Sequence, residues 1–446
     1  MKTFLRILAG LVVVGVIALL AFVFVPVKRS APTQNLAADW QPEEGQGQYV
    51  MYAGDCVACH TAEGGEPLAG GRPIESPMGT IWSTNITPDP KTGIGGWSLD
   101  DFRAAMVDGL MPDGTHLYPA MPYENFRFMS EADIRALYDY LMNGVEPVEN
   151  RVQATQLAFP FNQRWGLRAW NWMALSHEAG FKPLGTSEMQ DRGQYLVEGA
   201  GHCAACHSPR NDLMMQDGVT ASQKTFRAGG VIDGWEAPAL YGPNSTITGW
   251  SVEETANYLA TGRNAHSAAN GEMALVVEHS LQHLTDADNL AIAAFLKGKD
   301  AETTEVAGVM KAMPQPEADA AGEETAAMLT EASPDMPLGP RLYLDNCSGC
   351  HFVTGKGAPE IFPDLENNPM VVSAEVGPLI SVILNGAEVP STEKRPMKLV
   401  MQGYAERLDD AEVAELVNFL RSSWGNDAAA ISAEDVAKVR AAQSTH

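Results

Sequence analysis

All six cysteines of this chain fall into three copies of one pentapeptide form: "CVACH" at Cys56 to His60, "CAACH" at Cys203 to His207 and "CSGCH" at Cys347 to His351. In each copy the cysteines are three residues apart and a histidine follows the second. A disulfide would use the thiols but leave the histidine unexplained three times over. A zinc knuckle draws four ligands from paired motifs close in sequence, whereas these motifs begin 147 and 144 residues apart. Covalent c-type haem accounts for every position. Two thiols on neighbouring helical turns reach the two vinyl groups of one porphyrin, and the adjacent imidazole points at the iron from the same side. Cys56, Cys59, Cys203, Cys206, Cys347 and Cys350 are therefore candidate attachment points, and His60, His207 and His351 candidate iron ligands, for three haem c groups.

A fold that seats such a group about every 145 residues reads as three tandem domains. The repetition extends past the cysteines. "GQGQYVMYAGDCVACH" parallels "DRGQYLVEGAGHCAACH", so helices open at Gly47 and Gly193 just ahead of their motifs. "GWSLDDFRAAMVDG" matches "GWSVEETANYLATG", where Ser98 with Asp101 and Ser251 with Glu254 form capping-box pairs and Gly109 and Gly262 supply C-caps. Each repeat closes on a further helix, "MSEADIRALYDYL", "LTDADNLAIAAFL" or "LDDAEVAELVNFL", with Ser130, Thr285 or Asp409 as its cap. The expected architecture is all-α: three class I cytochrome c-like domains after an N-terminal transmembrane helix. The boundaries are 1–30 for the anchor, 40–150 for the first domain, 151–185 for an aromatic-rich connection, 186–300 for the second domain, 301–337 for an acidic linker rich in Ala, Glu and Pro, 338–427 for the third domain and 428–446 for a tail.

The anchor rests on residues 7–25, 19 consecutive uncharged and mostly aliphatic residues. As a helix they span roughly 28 Å at about 1.5 Å per residue, enough to cross a bilayer core. A cleaved export signal is the alternative, but its apolar run is usually about 7 to 15 residues long and "VPVKRSAP" makes a poor cleavage site. Either reading takes the rest of the chain out of the cytoplasm. Haem attachment takes place on the outer side of the inner membrane, so the globular part is expected in the periplasm. The connection at 151–185 holds Phe159, Phe161, Trp165, Trp170 and Trp172, which suit packing on the chain's own domains or against a partner. The stretch 301–337 has no aromatic residue and one lysine, Lys311, and reads as a tether or a surface arm. A formal charge of −26 argues against a nucleic-acid partner.

Iron held by histidine on one face and methionine on the other suits electron transfer; an open sixth position suits gas or peroxide chemistry. Met121 in "YPAMPY" stands between prolines, 61 residues after His60. Its rivals Met78, Met106, Met111 and Met129 read as core or loop. Met273 follows His207 by 66 residues, at the matching distance past the Gly-Trp-Ser helix, while His266 and His279 read as propionate or surface residues and His279 with His283 as an ordinary helix face. Met401 is preferred to Met397 because it stands eight residues before the cap Asp409, as Met121 stands nine before Ser130.

Three "CxxCH" units together with "STNITPDPKTGIGGWS", "YPAMPY", "GRNAH" and "RSSWGN" resemble the triheme cytochrome c subunits of membrane-bound periplasmic dehydrogenases, over about residues 47–426. The resemblance implies a chain that takes electrons from a catalytic subunit and passes them to ubiquinone or a terminal oxidase. That partner is a quinoprotein alcohol dehydrogenase with pyrroloquinoline quinone, a flavoprotein acting on gluconate, sorbitol or fructose, or a molybdopterin enzyme with an iron–sulfur subunit. This chain departs from relatives in carrying Gln402 after Met401, where proline is common. Its N-terminal anchor is similar to the cytochromes of molybdopterin aldehyde oxidoreductases, which tilts the partner towards that class. No catalytic residue for substrate oxidation is visible. The competing class is a multihaem peroxidase with one open haem face, and a plausible methionine in every repeat speaks against it.

Overall fold

The computed structural model describes residues 2–37, 39–232, 235–242, 245–307 and 320–443. The chain divides into two compact units, Met1–Val50 with Cys59–Lys182, and Met51–Ala58 with Pro183–His446.

Each cysteine motif is preceded by an opening helix, Gln46–Ala53, Glu188–Glu198 or Leu338–Asn346. Each is followed later in the chain by a closing helix, Glu131–Asn143, Asp286–Lys297 or Asp410–Ser422. These pairs cross closely because the opening helix carries a glycine at the crossing. A Cβ on Gly47, Gly193 or Gly339 would run into the backbone carbonyl of Ala136, Ala291 or Glu415 respectively, so side chains there would force the helices apart. Between each pair lies a middle helix, Leu99–Asp108, Val252–Thr261 or Gly377–Asn385. The first two start on full capping boxes at Ser98 and Ser251 and stop at left-handed Gly109 and Gly262. Ser130 and Thr285 cap their closing helices through the amides of Asp133 and Asp288, and Asp409 makes a full capping box with Glu412.

Helices dominate, but the architecture is not purely α. Pro73–Ile74, Gly79–Trp82 and Gln156–Leu157 form a small antiparallel sheet. Gly230–Ile232 pairs with Trp235–Ala237, and Gly386–Glu388 with Val400–Gln402. These ribbons are too short to show a strand period among the Gly- and Pro-rich loops that carry them.

Within the second unit the regions around the second and third motifs pack together. Arg263 Nη2 donates to the Met397 carbonyl at 3.2 Å, the Glu360 amide to the Asn264 carbonyl at 3.1 Å, and Lys394 Nζ to Asp286 Oδ1 at 2.7 Å. A side chain at Gly262 would strike Pro390.

Within 301–337, read above as a tether or a surface arm, Ala320–Glu331 is a helix, and Leu329 and Met336 are buried in the core around Trp424. Its "AAGEETAAMLTEA" sequence is strongly helix-favouring and needs only one apolar anchor to dock. Residues 308–319, including Lys311, lie outside the described residues. The C-terminal tail at 428–446 contains a docked helix. Ala433–Gln443 is helical, Val436 is fully buried, and Arg440 donates to the carbonyls of Ala405 and Leu408, tying down the turn before the closing helix.

The stretch "RSSWGN" is a core device. Trp424 packs against Tyr343 at 5.0 Å and Phe419 at 5.3 Å and donates from Nε1 to the Val353 carbonyl. Buried Arg421 satisfies the carbonyls of Val371, Ser373 and Ala429, and Asn426 those of Leu365 and Leu420. Near the N-terminus the helix Lys2–Phe24 is long and apolar enough to cross a membrane. The residues after it are held to the middle helix of the first unit, Arg29 by Asp101 at 2.9 Å and Ser30 by Asp108.

Candidate functional site

The three cysteine motifs form short helices, Cys56–His60, Ala204–His207 and Ser348–His351. In every copy the first cysteine is half-buried and the second exposed. His60 Nδ1 lies 2.6 Å from the Thr84 carbonyl, His207 Nδ1 2.8 Å from the Pro238 carbonyl and His351 Nδ1 3.1 Å from the Pro363 carbonyl. A carbonyl only accepts, so Nδ1 carries the proton and Nε2 keeps its lone pair for a metal. Loss of solvent lowers the pKa of all three imidazoles, favouring the neutral form that ligation requires. The backbone around them repeats as well: the amides of Gly70, Gly229 and Gly357 donate to the carbonyls of His60, His207 and His351. All three glycines have positive φ, a conformation that ordinary side chains resist.

The methionines are held in three different ways. Met121 is half-buried in a turn, its amide on the Tyr118 carbonyl and its carbonyl accepting from Tyr123. Met106 and Met129 are buried in the core, as expected of them. Met273 sits in the first turns of the helix Gly271–His279. Met401 lies in the strand Val400–Gln402 opposite Ala387; Val400 and Gln402 are exposed, so strand alternation turns Met401 to the inner side. Met397 is 70% exposed.

In the second unit one cavity of about 1310 Å³ takes in both later motifs. Cys203, Cys206, His207 and Met273 line it, and so do Cys347, Cys350, His351 and Met401. Its volume exceeds the roughly 300–1,000 Å³ usual for a pocket with one small ligand. Met370, in the short helix Pro369–Val372, also lines it and was not singled out from sequence. His266 is engaged elsewhere, with Nε2 3.3 Å from Glu254 Oε1 and its ring stacked on Trp250. That contact holds the Glu254 carboxyl below its ordinary range. His279 and His283 do not share a helix face, because the helix ends at His279 and His283 belongs to a separate 3-10 turn.

Comparison with known proteins is consistent with this geometry. A cytochrome c family model matches residues 44–144 and 337–424. The chain is 40% identical over 406 residues to the gluconate 2-dehydrogenase cytochrome c subunit of Pantoea cypripedii, with 89% of each covered. It is 40% identical over 403 residues to the cytochrome c subunit of alcohol dehydrogenase (quinone) of Gluconobacter oxydans (strain 621H), covering 89% of this chain and 81% of that one. The chain belongs to the cytochrome c subunits of dehydrogenases. It also matches a nicotinate dehydrogenase subunit of Pseudomonas putida, at 40% identity over 407 residues, which is 90% of this chain and 32% of that protein.

Membership in these cytochrome c subunits implies covalently bound haem c and electron transfer within a dehydrogenase complex, and the residues present fit that group. Burial pushes the Cys203 thiol up to about 11 and Cys347 up to about 12, which favours the neutral thiol. Among the described residues no three His, Cys, Asp or Glu side chains come together as a metal-holding group. Two buried cations are short of partners: Nε and Nη1 of Arg127 and of Arg227 make no hydrogen bond. Arg227 lies against the rings of Phe295 at 4.5 Å and Phe226 at 4.8 Å, and burial pulls it down to about 10, leaving it charged at neutral pH. A carboxylate-bearing group such as haem suits that unsatisfied positive charge. Neither arginine stood out in the sequence, since the burial of both is set by distant contacts.

Proposed function

We propose that the chain is a membrane-anchored relay with three haem c groups, one in each of three cytochrome c-like domains at 40–150, 186–300 and 338–427. The thioether pairs are Cys56 with Cys59, Cys203 with Cys206 and Cys347 with Cys350. The residues that would hold the iron are His60 and Met121, His207 and Met273, and His351 and Met401. The observation that carries this reading is the threefold recurrence of a histidine whose Nδ1–H is tied to a backbone carbonyl and whose own carbonyl accepts from a positive-φ glycine.

When bound, haem would supply a one-electron carrier, and a methionine ligand would raise its potential. The chain's residues do the rest. The carbonyls of Thr84, Pro238 and Pro363 orient the imidazoles, the apolar walls of the cavity exclude water, and Arg227 would offer its unpaired positive charge to a carboxylate-bearing group. Both later sites open into one cavity, so groups held by His207 and His351 would share one enclosure and could exchange electrons there.

The helix Lys2–Phe24 holds the chain in the inner membrane with its globular part in the periplasm. The relay accepts electrons from a dehydrogenase catalytic subunit and delivers them to ubiquinone or a terminal oxidase. The anchor favours a molybdopterin partner with an iron–sulfur subunit over the quinoprotein and flavoprotein kinds. The test is purification from native membranes, with identification of the co-purifying subunit and spectroscopy of the resting chain. The reading requires low-spin, six-coordinate haem at three per chain; a large high-spin fraction would favour the peroxidase class instead.

A further inference from the structure

The aromatic-rich connection is only half absorbed by the fold. In the helix Leu167–Ala174, Trp170 turns inward onto Tyr123, with ring centroids 6.2 Å apart. Buried Asn171 accepts from the Tyr123 hydroxyl at 2.8 Å and donates to the Asp108 carbonyl at 3.0 Å. The opposite side is bare: Trp172 is 81% exposed and Phe159 79%, with Phe161, Trp165 and Met173 also exposed. The inner contacts fix this helix in place, so its outer aromatics are displayed on a rigid support.

Two observations within the same unit say what covers them. Arg168 reaches the end of the N-terminal apolar helix: its Nη1 donates to the Val25 carbonyl at 2.5 Å and its guanidinium lies over the Phe22 ring at 5.2 Å. The aromatic patch therefore stands at the level where that helix would leave a bilayer. Charge points the same way. From Arg151 to His177 there are three arginines and no acidic residue, in a chain with 56 acidic residues against 30 basic, and Lys28 and Arg29 follow the helix directly. Exposed Trp and Phe beside arginines fit the headgroup region, where amphipathic rings settle and anionic lipids attract basic side chains.

We infer that Phe159, Phe161, Trp165, Trp172 and Met173 form a second, monotopic membrane contact that lays the first unit on the outer leaflet beside the anchor. This rests on reading Lys2–Phe24 as an anchor. It gives that helix a partner on the lipid surface, so the globular part is held at a fixed height rather than hung from a flexible leash.

The test places a photo-crosslinking amino acid at Trp172, at Phe159 and, as a control, at exposed Glu63, in the full chain in native membranes. Bound haem absorbance confirms that each variant is folded. The inference requires phospholipid adducts at 172 and 159, several-fold above those at 63. Adducts chiefly to another polypeptide would overturn it by showing a protein interface, and so would adduct yields at 172 and 159 no higher than at 63. The anchor is tested separately, by alkaline carbonate extraction and the mass of the mature N-terminus. Release of a chain lacking the helix would defeat the anchor reading alone, while a retained chain without lipid adducts would defeat the patch alone.

Discussion

The two sides of the three proposed haem sites are built on opposite principles. On the histidine side, His60, His207 and His351 share a short helix, a glycine amide on the carbonyl and a carbonyl on Nδ1. On the methionine side nothing is shared. Met121 stands in a proline-flanked turn, Met273 in a helix and Met401 in a β-ribbon. The histidine is placed by its own neighbours in sequence. The methionines proposed as ligands are placed by tertiary structure, each on a different kind of backbone. Met401 shows the substitution of one device for another, since pairing with Gly386–Glu388 supplies the stiffness that a following proline would otherwise give.

The comparison breaks first at the cysteines. Replacing Cys347 and Cys350 with alanine removes one haem of three, read as the intact mass of the purified chain; retention of all three would show that attachment does not use that pair. The methionine side comes next. Met401→Ala should convert one third of the haem to high spin and lower one of three potentials, whereas Met397→Ala, at an exposed position, should change neither. If Met401→Ala leaves the spectrum unchanged and Met370→Ala alters it, the cavity's other methionine is the ligand.

Smaller effects test the scaffold. Trp424→Ala removes a fully buried ring that joins Tyr343 and Phe419 and should cost about 3–5 kcal/mol of stability, read by denaturant unfolding. The caps sharpen the claim that the helical frame repeats. Ser98→Ala and Ser251→Ala should each cost about 0.5–2 kcal/mol and by similar amounts, because both serines make the same two-bond capping box. Unequal losses beyond that range would mean that the two helices carry different loads.

What was legible in the sequence follows the same division. Cysteines, histidines, caps and closing helices depend on residues three or four apart, and the structure places Ser98, Ser251, Ser130, Thr285 and Asp409 as their spacing demands. The carbonyls that orient the histidines lie 24, 31 and 12 residues away, in loops with no period, and could not be picked out. The helix Ala433–Gln443 was missed because its sequence is polar and a single residue, Val436, is its fully buried anchor. The union of the second and third regions into one unit depends on contacts such as Lys394 with Asp286, whose partners are 108 residues apart.

The central claim is that this polypeptide holds three porphyrins by thioether bonds. Intact-mass spectrometry of the denatured native chain reads that directly, since thioethers survive unfolding. The account predicts the mass of the mature polypeptide plus three haems. A mass with no haem added, or with fewer than three on a fully matured chain, would contradict it.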